Sequence, residues 1–133
     1  MGQANDRKAI VGVHGVIFEQ PFERYFSKKR TLFHFREKLA SDTRDNLIGT
    51  GTMAFHSSRI AFDYRSLPRG MADIGVAIAA KTAGVEMIAI ARPAKWLKPI
   101  VIEGRDDRTL FDEFQDNDKE HTELLKRHGD WKL

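Results

Sequence analysis

A change in the spacing of apolar residues at Leu67-Pro68-Arg69-Gly70 most constrains what this chain can fold into. Before this point, β-branched and aromatic residues alternate with polar ones, a pattern typical of half-buried strands. After it, the alanine-rich segment 71–83 carries apolar residues at helical spacing, and Gly84 stands where a helix commonly ends. The sequence therefore predicts strands first and a helix second, which is typical of an α+β fold.

The first half of the chain is predicted to form strands separated by polar turns. Residues 8–19 indicate one long or bent strand, with the bend at Gly12 or Gly15. The other predicted strands are 30–39, 47–56 and 60–65. Segment 30–39 fits a helix nearly as well, and the strands that follow it favour a strand there. Because short turns join these three segments, we expect them to pair in sequence order as an antiparallel meander.

The second half is predicted to add two strands, 85–91 and 99–103, and two helices. The final helix begins at the capping-box-like Thr109-x-x-Asp112, and the tail after it folds back through Trp131 or frays. A parallel crossover through helix 71–83 would make the sheet mixed. We therefore predict one α+β domain over residues 1–133. It has a mainly antiparallel, or mixed, sheet of about five to six strands, with two helices packed on one face.

The composition excludes several classes of protein. Of the 133 residues, 41% are hydrophobic and 31% are charged with both signs mixed, so the chain is neither disordered nor collagen-like. There is no cysteine, which excludes disulfides, thiolate catalysis and cysteine-based zinc sites. The most apolar stretch, 74–91, is interrupted by Lys81, Gly84 and Glu86, and no secretory signal opens the chain. We therefore expect a cytoplasmic protein with no membrane partner.

The charge is distributed unevenly along the chain. Residues 1–105 hold seventeen Lys and Arg against ten Asp and Glu, a balance of +7. Residues 106–133 hold five against nine, a balance of −4. This asymmetry predicts a basic body that attracts nucleic acid or an acidic protein surface, and an acidic C-terminal helix.

The turn Lys28-Lys29-Arg30 is the first candidate anion site. It lies within a basic and aromatic segment, called the aromatic segment, that runs from Phe22 to Arg36. Single-stranded nucleic acid binds where cations contact phosphates and exposed rings stack on bases. The structural alternative is that these rings belong to the core and that the basic turn is simply solvated.

The predicted start of helix 71–83 is the second candidate anion site. A helix N-terminus exposes unpaired N–H groups, Arg65 and Arg69 flank this one, and Gly70 permits close approach of a ligand. The structural alternative is a surface turn whose arginines pair with neighbouring carboxylates.

The leading interpretation is a small non-catalytic binding or regulatory protein that recognises nucleic acid or a charged protein partner through a basic face. The predicted contacts are Lys28, Lys29, Arg30, Arg65 and Arg69, with Gly70 beside them. Another interpretation is an inhibitor or immunity-type module that binds one partner through the acidic C-terminal helix.

The second interpretation is an enzyme for a phosphorylated substrate, or a metal-dependent phosphodiesterase or nuclease. His56, Asp63 and Glu103 are its candidate acid–base or metal-binding residues. In the predicted meander, His34 and His56 are cross-strand neighbours that Asp63 can orient. No cofactor and no resident metal site is predicted, because the histidines show no metal-ligand spacing.

Overall fold

A computed structural model describes residues 9–58, 60, 61, 63, 65, 69–100, 103, 104 and 110–133. These residues form short strands β1 Ala9–Gly12, β2 Gly15–Ile17, β3 Thr31–Phe33, β4 Thr43–Asp45, β5 Leu47–Ile48, β6 Met53–Ala54 and β7 Glu86–Ala89. The helices are α1 Ala72–Ala83, α2 Leu110–Phe114 and α3 Lys119–Arg127, and one 3₁₀ turn spans Thr50–Thr52. The fold is α+β, as the sequence predicts.

Two bent stretches of chain connect two sheets. One sheet has the order β4-β7-β1-β6 and the other the order β3-β2-β5. β1 and β2 are separated by two residues, and β4 and β5 by Asn46 alone, so each stretch contributes to both sheets. β7 is parallel to β1, whereas the other strand pairs are antiparallel. The mixed sheet that the sequence allows is therefore present.

The bend between β1 and β2 lies where the sequence predicts it. A Cβ atom on Gly15 would collide with the carboxylate of Asp45, and one on Gly12 would collide with Ile48. Glycine at these positions lets the bent strand approach the β4–β5 stretch closely. The bend also places His14, between the two strands, beside the core.

The core lies between the sheets and helices α1 and α3. Its largest fully buried side chains are Ile10, Leu47, Ile48, Ile74, Val76 and Leu125. α1 contacts β5, β7 and α3, and it ends at Gly84, whose φ of 67° is the left-handed conformation typical of a helix C-terminus. Trp131 is buried and donates Nε1–H to the Leu125 carbonyl at 2.9 Å. The predicted return of the tail through this residue is confirmed.

The predicted meander is wrong in its pairing. β3 and β5 both pair with β2, and β6 pairs with β1, so the strands after residue 30 do not pair with one another in sequence order. The predicted strand 47–56 is interrupted by the 3₁₀ turn, and the described residues of 60–65 form no strand. The physical reason is the bent first strand, whose two parts pair with four other strands. β1 pairs with β6 and β7, β2 pairs with β3 and β5, and these long-range pairs replace the local hairpin contacts.

Two predictions for the C-terminal half also need correction. The predicted last helix is divided into α2 and α3, because the Asp118 carboxylate accepts hydrogen bonds from Arg24 and from the Phe26 backbone. Pro99, Ile100 and Glu103 lie outside any strand, and the rest of the predicted strand 99–103 lies outside the described residues. Among the described residues, no helix is long and apolar enough to cross a membrane.

Candidate functional site

A cavity of about 320 Å³ lies between the bent β1–β2 stretch, the aromatic segment after it, the start of α1 and the C-terminal helices. Its volume is at the lower end of the range for small-molecule pockets. The aromatic wall is formed by Tyr25, Phe26 and Phe114, and the polar groups are contributed by His14, Arg30, Thr50, Asp73 and His121. The cavity therefore combines ring surfaces with a few convergent polar groups.

The aromatic wall is held in place by α3. The backbone N–H of Tyr25 donates to Thr122 Oγ1 at 3.0 Å, and that of Phe26 donates to Asp118 Oδ2 at 2.8 Å. Arg24 Nε donates to the same carboxylate oxygen at 3.0 Å. Although burial acts to raise the pKa of Asp118, the hydrogen bonds from Phe26 and Arg24 outweigh it and lower this pKa. An ionised Asp118 thus anchors the aromatic segment to the start of α3.

His121 is the buried polar group of the cavity. It is 2% exposed, and its ring stacks on Tyr25 with centroids 5.3 Å apart. The ring centroid of Phe114 lies 4.9 Å from that of His121. Burial lowers its pKa, whereas the Gly70 backbone and the carboxylates of Asp118 and Glu120 act in the opposite direction. The ring is therefore neutral near pH 7.

The Nδ1 atom of His121 has no hydrogen-bond partner among the described residues. A buried polar atom left in this state costs about 1–3 kcal/mol. A group in the cavity that formed a hydrogen bond with Nδ1 would recover this free energy. The atom is therefore available to a hydrogen-bonding group of a ligand in the cavity.

Arg30 contributes the cation of the cavity. Its guanidinium lies 5.0 Å from the ring centroid of Phe26 and 5.6 Å from that of Tyr25. Nη1 donates to the Tyr25 carbonyl at 3.3 Å, and the guanidinium has further N–H donors for an anion. Burial lowers the pKa of Arg30, but an arginine remains charged at any physiological pH.

His14 and Asp73 form the opposite side of the cavity. The His14 backbone N–H donates to Thr52 Oγ1 at 3.1 Å, and Asp73 Oδ1 accepts from the Thr50 backbone N–H at 2.8 Å. Burial is the main cause that lowers the pKa of His14; the charge of His34 adds to this, and that of Asp73 opposes it. The cavity thus offers one cation, one carboxylate and two neutral imidazoles.

The structure brings together only some of the predicted anion-binding residues. Arg30 and Gly70 both line the cavity, and Lys28 and Lys29 are exposed on the turn next to Arg30. Arg69 instead forms a two-point ion pair with Glu113, with N–O distances of 2.6 and 3.1 Å. An anion at Arg69 would have to displace that carboxylate.

Arg65 and the enzymatic candidates lie on the exposed part of the chain. The backbone N–H of Arg65 donates to Asp63 Oδ1 at 3.2 Å, and both residues are exposed. His56 Nδ1 accepts from the backbone N–H of Ser58 at 3.2 Å, and Glu103 is exposed. Among the described residues, no group of three or more His, Asp or Glu could hold a metal ion.

The predicted pairing of His34 with His56 is wrong, because β3 pairs with β2 and β6 pairs with β1. His34 instead contacts His14 and Phe35, with ring centroids 5.3 and 4.4 Å away. The enzymatic interpretation remains a prediction from the sequence.

Sequence reasoning missed His14, Asp73 and His121 as members of one site. They lie far apart in the chain, and their spacing matches no ligand-binding motif. Asp73 lies in the first turn of α1, where a carboxylate also suits the helix dipole. No protein-family model matches the chain, and no curated protein matches it.

Proposed function

We propose that this protein is a non-catalytic binding protein for single-stranded nucleic acid, and that one nucleotide enters the cavity beside Arg30. The single observation that carries the proposal is the buried, unpartnered Nδ1 of His121 in a ring-lined cavity that also contains a cation. His121 and Arg30 line the same cavity, and recognition of a nucleotide uses a hydrogen-bonding side chain together with a cation.

The aromatic wall supports recognition of a base. Tyr25, Phe26 and Phe114 present rings to the cavity, and stacking on an aromatic side chain is worth about 1–3 kcal/mol per base. His121 and Asp73 supply hydrogen-bonding groups for the edge of that base. Burial raises the pKa of the Tyr25 hydroxyl, so this group stays protonated and can donate.

The basic turn supports recognition of the backbone. Lys28 and Lys29 are exposed immediately before Arg30, so the three cations can follow successive phosphates. The start of α1 also lines the cavity at Gly70 and Ala72, and the positive end of a helix dipole favours an anion there. These contributions point to a nucleotide rather than to an uncharged aromatic ligand.

The acidic C-terminal segment leaves this turn available. Its carboxylates Asp118 and Glu113 pair with Arg24 and Arg69, which neutralises two cations of the basic body. Lys28 and Lys29 form no ion pair with a carboxylate among the described residues. The interpretation of the acidic segment as a surface for a basic partner remains a prediction.

The test is a titration of a short labelled oligothymidylate followed by fluorescence anisotropy. Arg30→Gln should weaken binding by about tenfold or more, because a hydrogen bond to a charged group is worth about 1.5–3 kcal/mol. Arg36→Gln is the matched control, because Arg36 lies 5.5 Å from the Phe35 ring but does not line the cavity. This control should bind normally.

A second variant tests the observation that carries the proposal. His121→Phe keeps a ring next to Tyr25 and removes Nδ1, so it should weaken oligonucleotide binding while circular dichroism shows an intact fold. The logarithm of the affinity should fall with the logarithm of salt concentration at a slope of about −2 if three phosphates are neutralised. Absence of binding, or equal effects of Arg30→Gln and Arg36→Gln, would reject the proposal.

A further inference from the structure

A cluster of exposed apolar side chains lies on the loop that follows β7. Trp96 is 54% exposed, Leu97 37% and Ile100 89%. Exposed Leu or Ile side chains are common singly, but three large apolar side chains within five residues form a patch of the kind that marks an interaction site. We call residues 95–100 the apolar loop.

The apolar loop is attached to an ordered neighbour. The backbone N–H of Lys95 donates to the Arg36 carbonyl at 2.8 Å, and Lys95 itself adopts a φ of 59°. Arg92, which is 5% exposed, donates from Nε to the Glu37 carbonyl at 3.0 Å and from Nη2 to the His34 carbonyl at 2.8 Å. One buried guanidinium thus holds the 34–38 turn beside the start of the apolar loop.

The charge around the apolar side chains is positive. Lys95 and Lys98 lie within the loop, and Arg36 and Lys38 lie on the neighbouring turn; all four residues are exposed. The acidic residue within these two segments is Glu37. Two copies of this surface would repel each other, so the surface does not pair with itself. It fits a partner that is anionic and accepts apolar side chains.

We propose that the apolar loop docks on the surface of an anionic phospholipid bilayer. Tryptophan favours the headgroup region, leucine and isoleucine enter the acyl boundary, and lysine and arginine contact anionic headgroups along their extended stems. A bilayer supplies the apolar layer and the negative charge together. The expectation of no membrane partner came from the lack of a spanning segment, and docking on the surface needs none.

Tryptophan emission measures this docking directly. The chain has two tryptophans; Trp131 is 4% exposed, so a change of environment at the surface is reported by Trp96. With vesicles of phosphatidylcholine containing about one third phosphatidylserine, the emission should shift to shorter wavelength and the protein should co-sediment. Phosphatidylcholine alone should give a much weaker effect.

Variants distinguish this loop from basic charge in general. Lys95→Gln with Lys98→Gln should weaken partition into the anionic vesicles by about tenfold or more. Leu97→Ser with Ile100→Ser should abolish the emission shift. Lys119→Gln with Lys126→Gln is the matched control, because it removes two exposed cations outside the loop and outside the proposed nucleotide site and should leave partition nearly unchanged.

Three results would overturn the proposal. The first is no co-sedimentation with phosphatidylserine vesicles. The second is an equal loss in the control and in the loop variants, which indicates non-specific charge attraction. The third is a concentration-dependent emission shift without lipid that Leu97→Ser with Ile100→Ser removes, which identifies a second copy as the occupant.

Discussion

Asp45 shows how a single buried residue makes stability depend on pH. It is 3% exposed, both of its carboxylate oxygens lack a hydrogen-bond partner among the described residues, and it lies against Gly15. Burial raises its pKa from 3.8 to about 7, although the charge of Arg92 acts in the opposite direction. The protonated form is therefore the one that the fold favours.

The first prediction concerns Asp45→Asn. Because the folded pKa exceeds the unfolded one, the contribution of Asp45 to stability is largest below about pH 4 and is lost as the pH rises toward 7. At about 1.4 kcal/mol per pKa unit, the loss reaches at most about 4 kcal/mol. Asp45→Asn should remove this dependence and should be more stable than the parent above pH 7. Urea unfolding across this pH range is the measurement, and identical pH profiles would contradict the assignment.

The second prediction compares two glycines in the left-handed conformation. Gly70 has a φ of 78°, and a Cβ there would lie 2.6 Å from Phe114 Cε2; Gly84 has a φ of 67°, and a Cβ there would meet no atom within 4 Å. Gly84→Ala should cost about 1–2 kcal/mol from backbone strain alone. Gly70→Ala should cost more and should also weaken oligonucleotide binding, because it displaces a ring of the cavity. Thermal unfolding of both variants gives the comparison.

At the scale of elements, the contact between the aromatic segment and α3 assembles the cavity. Residues 24–26 have no regular secondary structure, and they bind Asp118 and Thr122 by side-chain hydrogen bonds. The local elements α1 and β7 agree with the sequence prediction, because helical spacing and a short apolar run are local properties. The strand pairing does not agree, because it depends on residues distant in the chain.

The third prediction concerns the anchor of this contact. Asp118→Ala leaves the Phe26 N–H and Arg24 without their acceptor, so it should destabilise the fold by about 1–3 kcal/mol and weaken oligonucleotide binding. Because the folded pKa of Asp118 is lowered, its contribution is present above about pH 4 and is lost in acid. Asp116→Ala, at an exposed position of the same segment, is the control. The free energy of unfolding in urea is measured for both variants. Equal values for Asp118→Ala and Asp116→Ala would contradict the role of Asp118 as an anchor.

At the scale of the whole molecule, the C-terminal segment neutralises part of the basic body. The sequence predicts a basic body and an acidic last helix, and two ion pairs connect them, Arg24–Asp118 and Arg69–Glu113. The charge asymmetry is therefore partly cancelled inside the molecule. The cations that remain beside the cavity are those of the turn that ends at Arg30.

The fourth prediction tests this competition. Glu113→Gln releases the exposed Arg69, so oligonucleotide binding should tighten and the salt slope should steepen by about 0.7 if Arg69 then contacts a phosphate. Anisotropy titrations at several salt concentrations provide the comparison. Asp130→Gln, which removes an exposed carboxylate far along the tail, should leave both quantities unchanged. Unchanged affinity in Glu113→Gln would show that Arg69 does not compete for the ligand.

The sequence by itself determined the α+β class, the helix that ends at Gly84 and the apolar strand after it, because these follow from local spacing. For the tail the sequence left open a return through Trp131 or fraying, and the burial of Trp131 in the structure decided between them. It also identified Arg30 and Gly70. Only the tertiary structure decided that these two lie in one cavity with His14, Asp73 and His121. The physical reason is that long-range packing determines which strands pair with the bent first strand. The spacing of apolar residues along the chain does not specify which distant strand edges pair.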